Sequence, residues 1–133
     1  MSNGLIQVVA GINIKYVDNI PFVLLGLKPS GIWEFPGGKV NNSESHSEAM
    51  EREWIEELGV MVECEGERFG HARNGVYEVW FYEVDIKQDD YQDGEPTSKE
   101  HVDVKYFRLD ECGGVELNQI NRAMLSKLVS KYK

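Results

Sequence analysis

The sequence predicts an α/β fold with a mixed β-sheet flanked by helices, and three observations carry that expectation. Apolar, β-branched stretches stand before, between and after two segments of helical period. The chain has 133 residues, the size of one ordinary domain. Its apolar content, 41%, is enough for a core, and no stretch reads as linker, repeat or low-complexity tract. Residues 1–133 are therefore expected to form a single domain.

The elements follow in order. "LIQVVAGINIKY" is apolar and β-branched and predicts a strand; "VDN" is a turn, and "IPFVLLGL" a second strand. Residues 28–43, rich in Pro, Gly, Asn and Ser, read as a loop. A helix is expected from Ser43–Ser45 to Gly59, with Met50, Trp54 and Leu58 at i, i+4 and i+8 as its buried stripe. "VMVECEGERFGHA" reads as strand, "RNGV" as an Asn-Gly turn, and the alternating "VYEVWFYEVDI" as a strong strand. "KQDDYQDGEPTSKE" is a long polar loop and "VDVKYFRL" another strand. Leu117 to Tyr132 predicts a final helix with Ile120, Met124 and Leu128 on one side.

The formal net charge of −9 argues against binding DNA or RNA duplexes, because that binding relies on Lys and Arg neutralising phosphates. A small anionic ligand remains compatible, provided a metal ion supplies local positive charge. No basic leader precedes an apolar run at the N-terminus, and no apolar run reaches the roughly 20 residues that span a bilayer. A soluble, cytoplasmic protein is expected. Cys64 and Cys112 match no metal or redox spacing and are expected as reduced thiols. His46, His71 and His101 are expected to face solvent, with no functional role.

The stretch "EFPGGKVNNSESHSEAMEREWIEELGV" carries the chemistry. At about 100° per residue, Glu53, Glu56 and Glu57 share one helical face within roughly 100°, whereas Glu48 and Glu51 point elsewhere. Carboxylates so placed repel by a few tenths of a kcal/mol per pair, about the size of a favourable helix ion pair. A divalent cation removes the penalty, and an all-oxygen set suits Mg²⁺ or Mn²⁺; a solvated acidic face needs no metal. The preceding "FPGGK" can turn sharply and bring main-chain groups toward the first helical turns.

Gly38, five residues, Glu44, seven residues, then Arg52-Glu53-Trp54-Ile55-Glu56-Glu57-Leu58-Gly59-Val60: this resembles the complete Nudix box. Trp54 stands where an aliphatic side chain is usual. The resemblance implies a Nudix-like α/β/α sandwich and metal-dependent hydrolysis of a nucleoside diphosphate linked to a further group. It implies that Glu53, Glu56 and Glu57, with the carbonyl of Gly37 or Gly38, hold the metal, and that Arg52 orients a helix carboxylate. By the same resemblance Glu44 braces the loop against the helix. Glu53 is the first choice for general base or its close support, and Glu100 is a further candidate, since some relatives use a downstream glutamate. Arg52 reads equally as an i, i+4 partner of Glu56, and Glu44 as an ordinary first-turn acid.

The box does not choose the substrate. "WEFPGGK" resembles the turn of MutT-like enzymes and of relatives acting on pyrimidine nucleoside triphosphates. Lys39 in that turn is a candidate substrate contact. Asn118 falls near the base-reading asparagine of MutT-like enzymes, although an N-cap of the last helix suits it as well. Phe35, Tyr77 and Trp80 could wall a base, with Trp80 assigned to the core. A small nucleotide is thus the expected partner, most simply a nucleoside triphosphate, either plain or with an oxidised or modified base, cut to monophosphate and pyrophosphate. Two alternatives stay open: a dinucleoside polyphosphate hydrolase, which would use Tyr77, and a nucleotide-sensing module without catalysis.

Overall fold

The structure is a computed structural model and describes residues 4–87 and 101–132. Among the described residues, nine strands and two α-helices follow one another. They are β1 (Ile6–Ile12), β2 (Ile14–Val17), β3 (Ile20–Leu27), β4 (Trp33–Glu34), β5 (Gly37–Lys39), α1 (His46–Leu58), β6 (Val62–Cys64), β7 (Gly70–Asn74), β8 (Tyr77–Ile86), β9 (Asp103–Arg108) and α2 (Gln119–Lys131). A 3₁₀ turn over Leu109–Gly114 joins β9 to the approach to α2.

The first stretch, expected as one strand, divides at Asn13 between the two sheets of the molecule. Asn13 is buried; its amide donates to Val84 O at 2.9 Å and its Oδ1 accepts from Tyr106 Oη at 2.5 Å. A buried amide with both ends satisfied can hold the bend without an energetic penalty. In the first sheet β1 lies parallel to β8 and antiparallel to β5, while β6 and β7 both pair with β8. In the second, β3 is central and pairs with β2, β4 and β9. The hairpin between β2 and β3 turns on Asp18 and Asn19, both at positive φ, as a two-residue turn requires.

Two clusters form the core. Ile12, Val23, Leu25, Phe35, Phe81, Leu125 and Leu128 join both sheets to α2. Val9, Leu24, Met50, Trp54, Leu58, Val62 and Val84 fill the space beneath α1. The expected α1 stripe is therefore the buried one. The mixed sheet flanked by helices is also observed.

Three local expectations change. The loop over 28–43 contains β4 and β5, because Trp33 and Glu34 pair with β3 and the glycine turn pairs with β1. The strand expected from "VMVECEGERFGHA" is interrupted at Gly66, whose φ of 60° breaks the extended chain into β6 and β7. On α2 the fully buried positions are Asn121, Leu125 and Leu128, with Ile120 and Met124 at the flank of the core. Cys64 and Cys112 are free thiols as expected, the latter buried and its pKa pushed up to about 11 by that burial. Among the described residues no helix is long and apolar enough to cross a membrane.

Candidate active site

Helix α1 starts where the sequence chemistry demands. Ser45 accepts from Glu48 N at 3.1 Å and the Glu48 side chain accepts from Ser45 N at 2.8 Å, a reciprocal capping box. It stops at Gly59, whose φ of 70° suits glycine. Trp54 fixes its height over the glycine turn. The indole N–H donates to Pro36 O at 3.2 Å, and Gly11 N donates to the same carbonyl at 2.8 Å. Room for an indole, where an aliphatic residue would be smaller, comes from Gly11: a methyl there would meet the Trp54 ring.

The glycine turn is close-fitted for two different reasons. A Cβ on Gly37 would overlap the main chain of Val9, and a Cβ on Gly38 would overlap the carboxylate of Glu53. The Glu53 carboxylate is thus pressed against the turn with no side chain between them. Glu57 is 4% exposed, and among the described residues its Oε2, though not the residue as a whole, has no hydrogen-bond partner; Glu56 is exposed. The shared face deduced from helical spacing thus holds one buried carboxylate, Glu57, one partly buried, Glu53, and one exposed, Glu56.

Arg52 ties these groups together. Its Nε and Nη2 donate to Glu44 Oε2 and Oε1 at 2.7 and 3.0 Å, a bidentate pair. Its Nη1 donates at 3.1 Å to both Glu53 Oε2 and Glu56 Oε2, and Nη2 also reaches Lys39 O at 2.9 Å. Both readings of Arg52 therefore coexist in one guanidinium. Glu44 additionally accepts from Asn41 N at 2.8 Å. The Arg52 contact, followed by the Asn41 amide, holds the Glu44 carboxyl below its usual range, and the carboxylates in turn raise the Arg52 pKa.

The hard-oxygen donors of this face fit a divalent cation by their chemistry, and the lack of a side chain at position 38 lets the Glu53 carboxylate lie against the glycine turn. Among the described residues, however, no three His, Cys, Asp or Glu side chains converge in a metal-holding geometry. Arg52 instead pairs with both Glu53 and Glu56. Glu100 lies outside the described residues.

Beside the glycine turn opens a cavity of about 360 Å³. Gly37, Gly38, Phe35, Tyr77 and Asn118 line it, as do Val79, Lys28, Glu34, Asn74 and Asn121. Phe35 is buried and packs edge-on against Phe81, whereas Tyr77 is partly exposed. Asn118 is brought there by the main chain: Trp33 N donates to Glu116 O at 2.8 Å, and Trp33 bridges to Leu117. Asn118 caps α2, its Oδ1 accepting from Asn121 N at 2.8 Å. Lys39 is exposed and does not line the cavity; its contact to the site is through its carbonyl.

Trp80 is excluded from the cavity because it points to the opposite face of β8 from Tyr77. There it is half-buried rather than core, with His71 stacked on it at 4.0 Å and its Nε1 donating to Gln7 Oε1 at 2.7 Å. The expectation of solvent-facing histidines also fails twice. His46 is half-buried, with Nδ1 at 2.7 Å from Tyr82 Oη, and burial lowers its pKa. The His101 side chain is 2% exposed, lies over Gly26 and meets Glu34 Oε2 at 2.9 Å. The cavity residues missed in the sequence, Lys28, Glu34, Asn74 and Asn121, come from four separate segments. Only Asn121 left a local signal, an amide at i−4 and i−7 from two buried leucines.

A curled mixed sheet, a carboxylate-rich helix pressed on a glycine turn and a polar-rimmed cavity beside it define an α/β enzyme of small-molecule type. The chain belongs to the Nudix family: the NUDIX domain model matches residues 22–128. A relative in Mycobacterium tuberculosis, "Putative 8-oxo-dGTP diphosphatase 2", is 32% identical over 103 residues, 74% of this chain and 70% of that protein. The mouse "Oxidized purine nucleoside triphosphate hydrolase" is 33% identical over 100 residues, 71% of this chain and 64% of that protein. A solved MutT structure, described for Aliivibrio salmonicida and Vibrio cholerae, superimposes with a TM-score of 0.73 at 26% identity, covering 95% of this chain and 98% of that one. The chain is accordingly a Nudix hydrolase with MutT-like relatives, a family that generally uses divalent metal ions.

Proposed function

We propose that the protein hydrolyses a nucleoside triphosphate, preferentially an oxidised purine one such as 8-oxo-dGTP, to nucleoside monophosphate and pyrophosphate. The observation that carries this reading is the contact of the Glu53 carboxylate with Gly38 at the rim of the Phe35–Tyr77–Asn118 cavity. Catalytic carboxylates and a base-sized pocket then lie on two sides of one glycine turn, as a substrate with a base at one end and phosphates at the other requires. Glu53, Glu56, Glu57, the carbonyl of Gly37 or Gly38 and Glu100 are the proposed ligands of Mg²⁺, with Mn²⁺ as a substitute. Such an ion neutralises phosphate charge and acidifies bound water.

The residues have separate tasks. Glu53 accepts the proton of the attacking water or orients the group that does. Arg52 keeps the Glu53 carboxylate turned toward the turn, and Glu44 holds Arg52 in place with two parallel hydrogen bonds. Phe35 and Tyr77 offer apolar surface to the base and Asn118 offers its amide, while Lys39, exposed outside the cavity, is the cation proposed for the phosphates. The names of the relatives support the substrate class. A hydrolysis screen over 8-oxo-dGTP, dGTP, dCTP and a diadenosine polyphosphate with Mg²⁺, its products resolved by chromatography, tests it. Monophosphate and pyrophosphate from 8-oxo-dGTP are expected; diphosphate and inorganic phosphate, or a preference for the diadenosine compound, would overturn it.

A further inference from the structure

We infer that His101 is a positioning residue of the nucleotide cavity, acting through Glu34, whose carboxylate it fixes in the cavity wall for the nucleoside part of the substrate. The inference rests on the nucleotide-hydrolase reading above and concerns a residue outside the Nudix box. Three strands meet at one glycine. Gly26 of β3 pairs with Glu34 of β4 on one side and with Val104 of β9 on the other. Strand β4 is only two residues long, so its ladder to β3 consists of two register pairs. His101 comes from the chain just before β9, where Val102 N donates to Leu27 O at 2.7 Å. Its imidazole lies over Gly26: a Cβ there would stand 2.6, 2.7 and 2.8 Å from three ring atoms. The ring therefore crosses β3 where no side chain blocks it, and its Nε2 lies 2.9 Å from Glu34 Oε2. A carboxylate oxygen only accepts, so Nε2 carries the hydrogen and donates.

The two partners differ in what surrounds them. The His101 side chain is 2% exposed and that of Glu34 is 31% exposed. An enclosed imidazole is costly without a hydrogen-bond partner, and here the partner belongs to the cavity wall. Among the described residues Glu34 is the one carboxylate that lines this cavity. A glutamate side chain is flexible, and a ligand that must order it loses affinity to the entropy of doing so. The bond from His101 orders it before the ligand arrives. A carboxylate repels phosphate oxygens and accepts from N–H and O–H groups. Glu34 therefore serves a hydrogen-bond donor of the nucleoside, while the polyphosphate belongs to the carboxylate helix and its cation.

The test measures kcat and KM on the triphosphate that the wild type hydrolyses best, with inhibition by its monophosphate and by pyrophosphate, and thermal melts. His101→Asn is too short to reach Glu34, whereas His101→Gln sets an amide N–H near the place of Nε2. His101→Asn should raise KM and the monophosphate Ki about ten-fold, with kcat and the pyrophosphate Ki little changed. His101→Gln should stay within about three-fold of wild type. Gly26→Ala leaves both partners chemically intact but displaces the ring, and should reproduce His101→Asn. Glu34→Ala should raise the monophosphate Ki at least as much, and adding His101→Asn to it should change little more, since both remove one interaction. Because Glu34 is partly exposed, that variant keeps the test decisive if those at the enclosed ring fail to fold. Equal behaviour of the Gln and Asn variants, a pyrophosphate Ki raised as much as the monophosphate Ki, or an unchanged monophosphate Ki in Glu34→Ala overturns the positioning role and leaves the hydrolase reading intact. A lower melting temperature at unchanged KM makes the pair structural only and overturns it too. Failure of the wild type to hydrolyse any nucleoside triphosphate overturns both.

Discussion

One guanidinium organises the reactive face: Arg52 binds Glu44, Glu53 and Glu56 at once, so the orientation of each carboxylate depends on the others. Glu53→Gln keeps the shape and removes the charge. It should lower kcat by about 10² or more, as loss of a general base or metal ligand does. The melting temperature should barely move, because this side chain meets the turn and Arg52 rather than the apolar core; a variant within a few-fold of wild-type kcat would refute the role. Glu44 makes a prediction about acid. Arg52 holds its carboxyl below the ordinary value of 4.5, so on acidification the unfolded chain takes up this proton first. The stabilisation is complete above about pH 4.5 and is lost as pH falls through the lower folded value. Melting curves of wild type and Glu44→Gln should therefore run at a constant offset near neutrality and converge below about pH 4.5.

At the scale of the element, α2 begins on a residue with two demands on it. The Asn118 oxygen caps the helix, while the residue also lines the cavity. Asn118→Ala should cost ~1 kcal/mol in denaturant unfolding, the usual cost of a lost cap. If the amide also meets the base, KM should rise for 8-oxo-dGTP more than for dCTP; a uniform change across substrates would mean that only the cap was lost. Helix α1 shows how a family position absorbs a different residue. Trp54 was legible as part of the buried stripe from its spacing with Met50 and Leu58. Its bond to Pro36 and its dependence on Gly11 were not, because those residues lie on other elements and reach it only through the packing of β1 and the turn.

For the whole molecule, a net charge of −9 and an acidic helix face set the electrostatic problem that the site has to solve. Activity should require Mg²⁺ or Mn²⁺ and disappear in excess chelator, and full turnover in EDTA would rule the metal out. Because binding to the folded state stabilises it by mass action, Mg²⁺ should also raise the melting temperature of wild type. The rise should shrink in Glu53→Gln, which separates metal binding from turnover as a readout. The two sheets meet at Asn13, so the cavity and the carboxylate face are held on one framework rather than on separate loops.

What the sequence determined by itself was local. The capping box at Ser45, the glycine stop at position 59 and the common face of Glu53, Glu56 and Glu57 all follow from neighbours within a few turns of one helix. Spacing along the chain therefore carried both the family and the fold class. Tertiary structure decided what depends on contacts between distant segments. It buried Glu57 and left Glu56 in solvent, turned Trp80 away from Tyr77, enclosed His101 over Gly26 and set Asn121 against the cavity. Helical period states which side chains share a direction; only the elements packed around a helix determine whether that direction leads to water, to apolar core or to a ligand.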